Sequence, residues 1–443
     1  MNARHHLRTA ACALAFVLAL SACGSSDDGS AAADDTSSEN TQADAASGSD
    51  GTVTCGLGTG EAADGDPIVV GAIVGETGAD DFSSSADAAA AYFDCVNANG
   101  GINGRPIEYL VEDDQWNPET AGQAAARLVE DEGVVAMIGG ASFVECGVNA
   151  ELYASSGVIS VPGVGVPRQC FESANIAPIN EGPRLSSLGA AQYAASELGA
   201  TSFVCVALNI PGLGDWICDG VAEWADENGY TSVTQLIDPA LPDPNAVALD
   251  AMSEGTDVIL NTLPAGAATP VLAAAEQQDG AADIDWLGPT SLFDADFPDA
   301  IGPYWNERLH VQIELATLDS DGADNVHWLA VMDAYGSDDD PRDSFSQAGF
   351  LSAKFFTEAL LSVDDPATID RAVASETISG IVTESDLLCG TWYFGSGDQH
   401  NANHSGRIVV VNDGAYDALA DCTPVDDPAL APILELESEL GIG

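Results

Sequence analysis

The residues best suited to chemistry in this 443-residue chain sit in turns that follow apolar runs, and the chemistry they suit is non-covalent capture of a ligand. Gly139-Gly140-Ala141-Ser142-Phe143 follows the run Val134–Ile138. Its small residues let backbone amides approach a ligand, and the Ser142 hydroxyl can donate to a carboxylate. Phe82, Phe143, Trp216 and Phe293 could supply apolar walls around such a ligand. Covalent chemistry has little to build on. The chain holds no GxSxG elbow, no HExxH pair and no Walker loop, and Gly163-Val164-Gly165 lacks the third glycine of a dinucleotide fingerprint. Asp398, His400 and His404 lie in a polar turn without a fourth ligand, and Asp319, Asp321 and Asp324 lack the spacing of a calcium loop, so neither metal nor cofactor is expected.

The elements that must position these turns are clearest between Asn97 and Gly140. Ala88, Ala89, Tyr92, Phe93 and Val96 recur at helical spacing from Ser84 onward, and Gly100-Gly101 supply a stop. Ile107–Val111 reads as a strand, Ala121, Ala124, Ala125 and Leu128 as the core face of a helix, and Val134–Ile138 as a second strand. This is a β-α-β unit, whose apolar second strand requires cover on both faces. Further runs at Val158–Val161, Phe203–Leu208, Val233–Ile237, Val258–Asn261, Trp286–Leu287 and Leu309–Ile313 continue the alternation. The fold class is therefore α/β with doubly wound parallel sheets, in which ligands sit beyond the carboxyl ends of the strands.

The wording of the stretch, NxxGGIxGR, a strand, EDDxxxP, a helix and VVAxIGG, resembles the signature of the Leu/Ile/Val-binding family of solute-binding proteins, the capture subunits of ABC importers. A weaker likeness runs from Ile68 to Val411 and includes GTWYFGSGD followed by RIVVVNDG. The resemblance implies the type I periplasmic binding fold: two lobes joined by three crossings near residues 188, 316 and 387. Lobe 1 would hold residues 67–188 and 317–387, and lobe 2 residues 189–316 and 388–443. It also implies binding turns at Gly163, Val164 and Gly165 in the first lobe, and at Asn209, Thr262 and Thr290 in the second. Where relatives carry a glutamate for an ammonium group, this chain has Thr290. The ligand then has another acid such as Asp294 or Asp215 for its ammonium group, or has none. A small polar solute is expected: an amino acid, an amide, a urea-like compound or an organic acid. The implied partners are that solute and ABC permease subunits. A sensor of the same fold, read by a signalling partner, is the alternative.

Composition bounds the rest. Arg4 and Arg8 precede the apolar segment Ala10–Leu20, and Leu20-Ser21-Ala22-Cys23 reads as a lipoprotein box, so residues 1–22 are expected to be a signal peptide and Cys23 a lipidated N-terminus. Residues 23–66 are an acidic linker poor in large apolar side chains. The protein is expected outside the cell membrane, tethered by lipid and monomeric. Its formal net charge of −60, from 71 acids and 11 bases, excludes nucleic acid and anionic lipid surfaces as partners. Apart from Cys12 and Cys23, eight cysteines remain in consecutive couples. In an exported chain an even count argues for disulfides, and nearest-neighbour pairing gives Cys55–Cys95, Cys146–Cys170, Cys205–Cys218 and Cys389–Cys422.

Overall fold

The structure is a computed structural model that describes residues 53–78, 80–240 and 243–442; the expected signal peptide, Cys23 and the expected linker up to residue 52 lie outside the described residues. The first sheet is built from β1 (Ile68–Val74), β2 (Ile107–Asp113), β3 (Ala136–Ile138), β4 (Ala141–Ser142), β5 (Ile159–Val161) and β6 (Val164–Gly165). All its pairings are parallel, with β1 inside: β2 flanks it on one side and β3 and β4 on the other. Its sequence Ile-Val-Val-Gly-Ala-Ile-Val is apolar on both faces because both faces are covered. Helices α1 (Ser84–Ala98), α2 (Pro118–Ala126) and α3 (Glu145–Ser156) provide part of that cover.

Gly139 and Gly140 interrupt what would otherwise be a single strand. A Cβ on Gly139, whose φ is +73°, would meet the Ala89 Cβ at 2.7 Å, so the pair lets α1 lie close against the sheet.

The chain then crosses to the second lobe. Helix α4 (Gly182–Tyr193) packs whole against the second sheet: Leu185 and Leu188 share a core with Phe203, Val258 and Leu287. The crossing expected near residue 188 is thus found before Gly182, because α4 uses its apolar face to cover that sheet. The second sheet contains β7 (Ser202–Leu208), β8 (Thr231–Ile237), β9 (Val258–Asn261), β10 (Asp285–Gly288) and β11 (Leu309–Ile313), linked through α5 (Gly214–Glu227), α6 (Pro244–Ser253), α7 (Ala265–Ala275) and α8 (Phe297–Ile301).

After β11 the chain returns to the first lobe for α9 (Ala323–Tyr335), α10 (Ser344–Leu361) and α11 (Arg371–Ser379), then forms the small hairpin β12 (Val382–Thr383) and β13 (Trp392–Tyr393). It ends in the second lobe with β14 (Ser405–Asn412), β15 (Ala415–Pro424) and α12 (Ala431–Leu440). The sheet order is β15-β14-β11-β10-β9-β7-β8, and β14 and β15 are antiparallel. Asp413 and Gly414 both have positive φ, the requirement of a two-residue hairpin turn, so this end of the parallel sheet is finished by a hairpin rather than a crossover.

The three crossings lie side by side. The Glu181 amide donates to Glu314 Oε2 at 3.1 Å, the Ala316 amide to the Leu387 carbonyl at 2.8 Å, and Asn403 Nδ2 to the carbonyls of Ile179 and Glu314. The four expected disulfides are present, with Cα–Cα distances of 5.2 to 5.7 Å. Among the described residues no helix is long and apolar enough to cross a membrane.

Candidate ligand-binding site

Between the lobes, where strands of both sheets end, lies a small chamber. The first lobe contributes Phe82, Phe143, Val164, Gly165, Val166 and Phe345; the second contributes Leu208, Leu213, Ile217, Thr262, Pro264, Pro289, Thr290 and Ser291. Asn180, at the first crossing, and Gly182, Pro183 and Ser186, in the first turns of α4, complete the wall. None of these side chains is charged. Phe82 is the centre of an aromatic group: Phe143 stacks on it at 5.0 Å, Phe345 meets it edge-on at 5.3 Å, and Trp116 stacks behind Phe143 at 4.2 Å.

Most polar groups in the wall are already committed to the protein. Asn180 exchanges two hydrogen bonds with the backbone of Gly165, at 2.7 and 3.0 Å. Thr262 Oγ1 donates to the Val206 carbonyl, Ser291 Oγ to the Leu263 carbonyl, and Ser186 Oγ accepts from the Thr290 amide. Thr290 Oγ1 differs: it is buried, in a residue 6% exposed, and has no hydrogen-bond partner. That oxygen is enclosed by protein and does not open onto the chamber.

Of the residues expected to touch ligand, Phe82, Phe143, Val164, Gly165, Thr262 and Thr290 are brought together in the wall, and three are not. Ser142 donates its hydroxyl hydrogen to the fully buried carboxylate of Asp114 and accepts from the amides of Val144 and Glu145, both at 3.0 Å. It therefore serves the start of α3 and has no hydrogen left for a ligand. Gly163 is pressed between two helices: a Cβ there would come within 2.2 Å of Ser85 Oγ and 2.9 Å of the Gly349 amide. Its smallness serves packing. Asn209 is exposed, its amide bonded to the Ile237 carbonyl.

Two suggested walls also move elsewhere. Trp216 packs on Phe171, and Phe293 on Tyr416. Asp398, His400 and His404 do not converge: His400 Nδ1 faces the Phe394 carbonyl, while His404 pairs with Glu437 at 2.9 Å. Sequence reasoning missed Phe345, Leu213 and Ile217. Phe345 lies far along the chain from any recognised turn, and Leu213 and Ile217 follow the Asn209 turn without a local signal of their own, so only the tertiary fold gathers them.

The lobes touch directly on both sides of the chamber. The Gly266 amide at the start of α7 donates to Asp80 Oδ2 at 3.1 Å, and the Arg168 amide donates to the Gly212 carbonyl at 3.0 Å. The wall thus has residues from both lobes in one closed arrangement.

The fold recurs among solved structures. An ABC transporter substrate-binding protein from Aeropyrum pernix is 16% identical with a TM-score of 0.72, covering 82% of this chain and 97% of that one. A fatty acid ABC transporter substrate-binding protein from Thermomonospora curvata is 19% identical with a TM-score of 0.71, covering 84% and 95%. A solute-binding protein of an ABC transporter from R. palustris, in complex with benzoate, is 16% identical with a TM-score of 0.64, covering 82% and 98%. Comparison with curated protein sequences finds no match. Residues 67–415 match the sequence profile of the periplasmic binding protein family, and the chain, with its two lobes and type I fold, belongs to that family.

Proposed function

We propose that the chamber captures one small solute with an apolar body and that the protein, held at the outer face of the membrane through Cys23, delivers it to an ABC permease. The observation that carries this reading is the wall itself: aromatic and aliphatic, uncharged, and contributed by both lobes. A buried carboxylate or ammonium group without a charged partner costs several kcal/mol, so a free amino acid, with both, is poorly matched. An apolar body gains about 25 cal/mol per Å² removed from water, so burying about 150 Å² contributes roughly 4 kcal/mol. The expectation of a small polar solute gives way to a more apolar one. Two proteins of the same fold, one in complex with benzoate and one a fatty acid transporter's binding protein, support an apolar ligand body. Neither fixes the head group here, because no basic side chain lines this chamber.

The solute contacts both lobes, so it favours the closed arrangement by its differential affinity for it. A thermal-shift screen of leucine, benzyl alcohol, cyclohexanol and short amides tests the reading. A ligand present at one hundred times its Kd adds about 2.7 kcal/mol of stability. The neutral ring compounds should raise the midpoint and leucine should not. A micromolar Kd for leucine with no response to the rings would overturn the reading. Cys23→Ser should release the protein from the membrane fraction; retention would refute the anchor.

A further inference from the structure

We propose that the Cys389–Cys422 disulfide is a redox-sensitive restraint on the hinge, so that its reduction by a dithiol frees the third crossing from the second lobe and weakens capture of the chamber's solute. The effect on capture rests on the chamber being the binding site; the effect on the hinge does not.

This bond differs from the other three in place and in access. Cys55–Cys95 and Cys146–Cys170 lie within the first lobe and Cys205–Cys218 within the second, and all six of these cysteines are no more than 3% exposed. Cys389 is half-buried in the loop between β12 and β13, and Cys422 is exposed on β15, the edge strand of the second sheet. An open recess lined by Asp324, Glu384, Asp386 and Gly390 runs beside Cys389. A thiol can therefore reach this bond in the folded protein, and exposed disulfides of this kind are the labile ones.

The bond also closes a short span between the lobes. Ahead of it the chain is held to α9 of the first lobe: Ser385 Oγ donates to Asp324 Oδ2 at 2.6 Å, and the Asp324 amide donates to Asp386 Oδ1 at 3.1 Å. Cys389 is then held covalently to the second lobe. Only Leu387 and Leu388 lie between these anchors, both buried, and the Leu387 carbonyl accepts from the Ala316 amide of the neighbouring crossing. A hinge turns through the φ and ψ angles of a few residues, so so short a span limits how far the lobes can part. With the bond cut, the hydrogen bonds holding this segment to the second lobe are a long one from Arg407 Nη1 to the Leu387 carbonyl, 3.4 Å, and that of the Tyr393 hydroxyl to Glu437 in α12, 3.2 Å. A wider range of open arrangements lowers the closed fraction, and with it the apparent affinity.

The exchange balances with a dithiol of the thiol-disulfide oxidoreductase class. Its thiolate attacks Cys422 Sγ, the more exposed sulfur, and the Sγ–Sγ bond breaks with its electron pair passing to Cys389, which takes up a proton. The second sulfur of the dithiol attacks the mixed disulfide and expels Cys422 as a thiolate, protonated in turn. Two electrons have moved: the dithiol leaves as a disulfide and the protein holds two thiols. Acids line the recess and Asp421 adjoins Cys422, so an uncharged or basic reductant is favoured over an anionic one.

The test is limited reduction of the folded full chain with dithiothreitol, followed by alkylation and peptide mass mapping. Cys389 and Cys422 should be labelled before any of the other six cysteines. Small-angle scattering of the unliganded chain should then show a larger radius of gyration, reversed by reoxidation, and calorimetry should show benzyl alcohol bound about threefold more weakly. The double variant Cys389→Ser, Cys422→Ser should match the reduced chain, and the reversible reduction keeps the test independent of whether that variant folds. Earlier labelling of another pair overturns the proposal, as does selective reduction that leaves the scattering unchanged, or that leaves affinity unchanged where the oxidised chain binds. If benzyl alcohol binds neither form, the reading of the chamber falls, and the scattering alone decides the restraint.

Discussion

Ser142→Ala is expected to destabilise the first lobe rather than to weaken ligand binding. In the fold, Ser142 Oγ accepts from the Val144 and Glu145 amides at the start of α3 and donates to Asp114, which is fully buried. Losing the helix-starting acceptor costs about 0.5–2 kcal/mol. Leaving a buried carboxylate oxygen without its donor costs about 1–3 kcal/mol more. Asp114 retains its bond from the Trp116 amide at 2.8 Å, so the loss is partial, and about 3 kcal/mol in total is expected. In a cooperative unit of about 200 residues this lowers the unfolding midpoint by roughly 6–12 °C. Trp116, adjacent to Asp114 and stacked on Phe143, makes tryptophan fluorescence a suitable probe of the transition. Affinity for a neutral ring probe, measured by calorimetry well below the midpoint, should stay within about threefold, equivalent to less than 1 kcal/mol. A variant with unchanged stability and a tenfold loss of affinity would refute the reasoning and return Ser142 to the ligand.

Two further predictions follow from buried groups. Glu181 and Glu314, 0% and 1% exposed, meet where two crossings run together, and Glu181 Oε2 and Glu314 Oε1 have no partner. Burial raises Glu181 to about 7, and burial with the neighbouring Glu181 charge raises Glu314 well above its ordinary range. The folded state therefore holds protons that the unfolded chain releases above about pH 4.5, so stability should fall as pH rises from there through about 7, by about 1.4 kcal/mol per pH unit per proton. Glu314→Gln should flatten that slope by one proton; urea midpoints at pH 5 and 7.5 that change equally in both proteins would count against the shared site. For the disulfides, the chain-entropy relation gives about 3 kcal/mol for Cys205–Cys218, separated by 13 residues, and about 4 kcal/mol for Cys55–Cys95, separated by 40. Double Cys→Ala variants, followed by denaturant unfolding, should lose stability in that order, and a larger loss for the shorter loop would show that native packing outweighs chain entropy.

What could be read from the letters depended on whether the cause was local. β9 and β11 occupy Val258–Asn261 and Leu309–Ile313, the bounds their apolar runs suggest, because a strand covered on both faces writes its own limits into the chain. The disulfide couples were legible for a similar reason: each joins cysteines 13 to 40 residues apart. The role of Ser142 was not. Its position after a strand marks a ligand turn equally well in a chain without Asp114 beneath it, and Asp114 comes from a different strand end. The first crossing was misplaced because α4 has ordinary helical periodicity and nothing local says which sheet its face will cover.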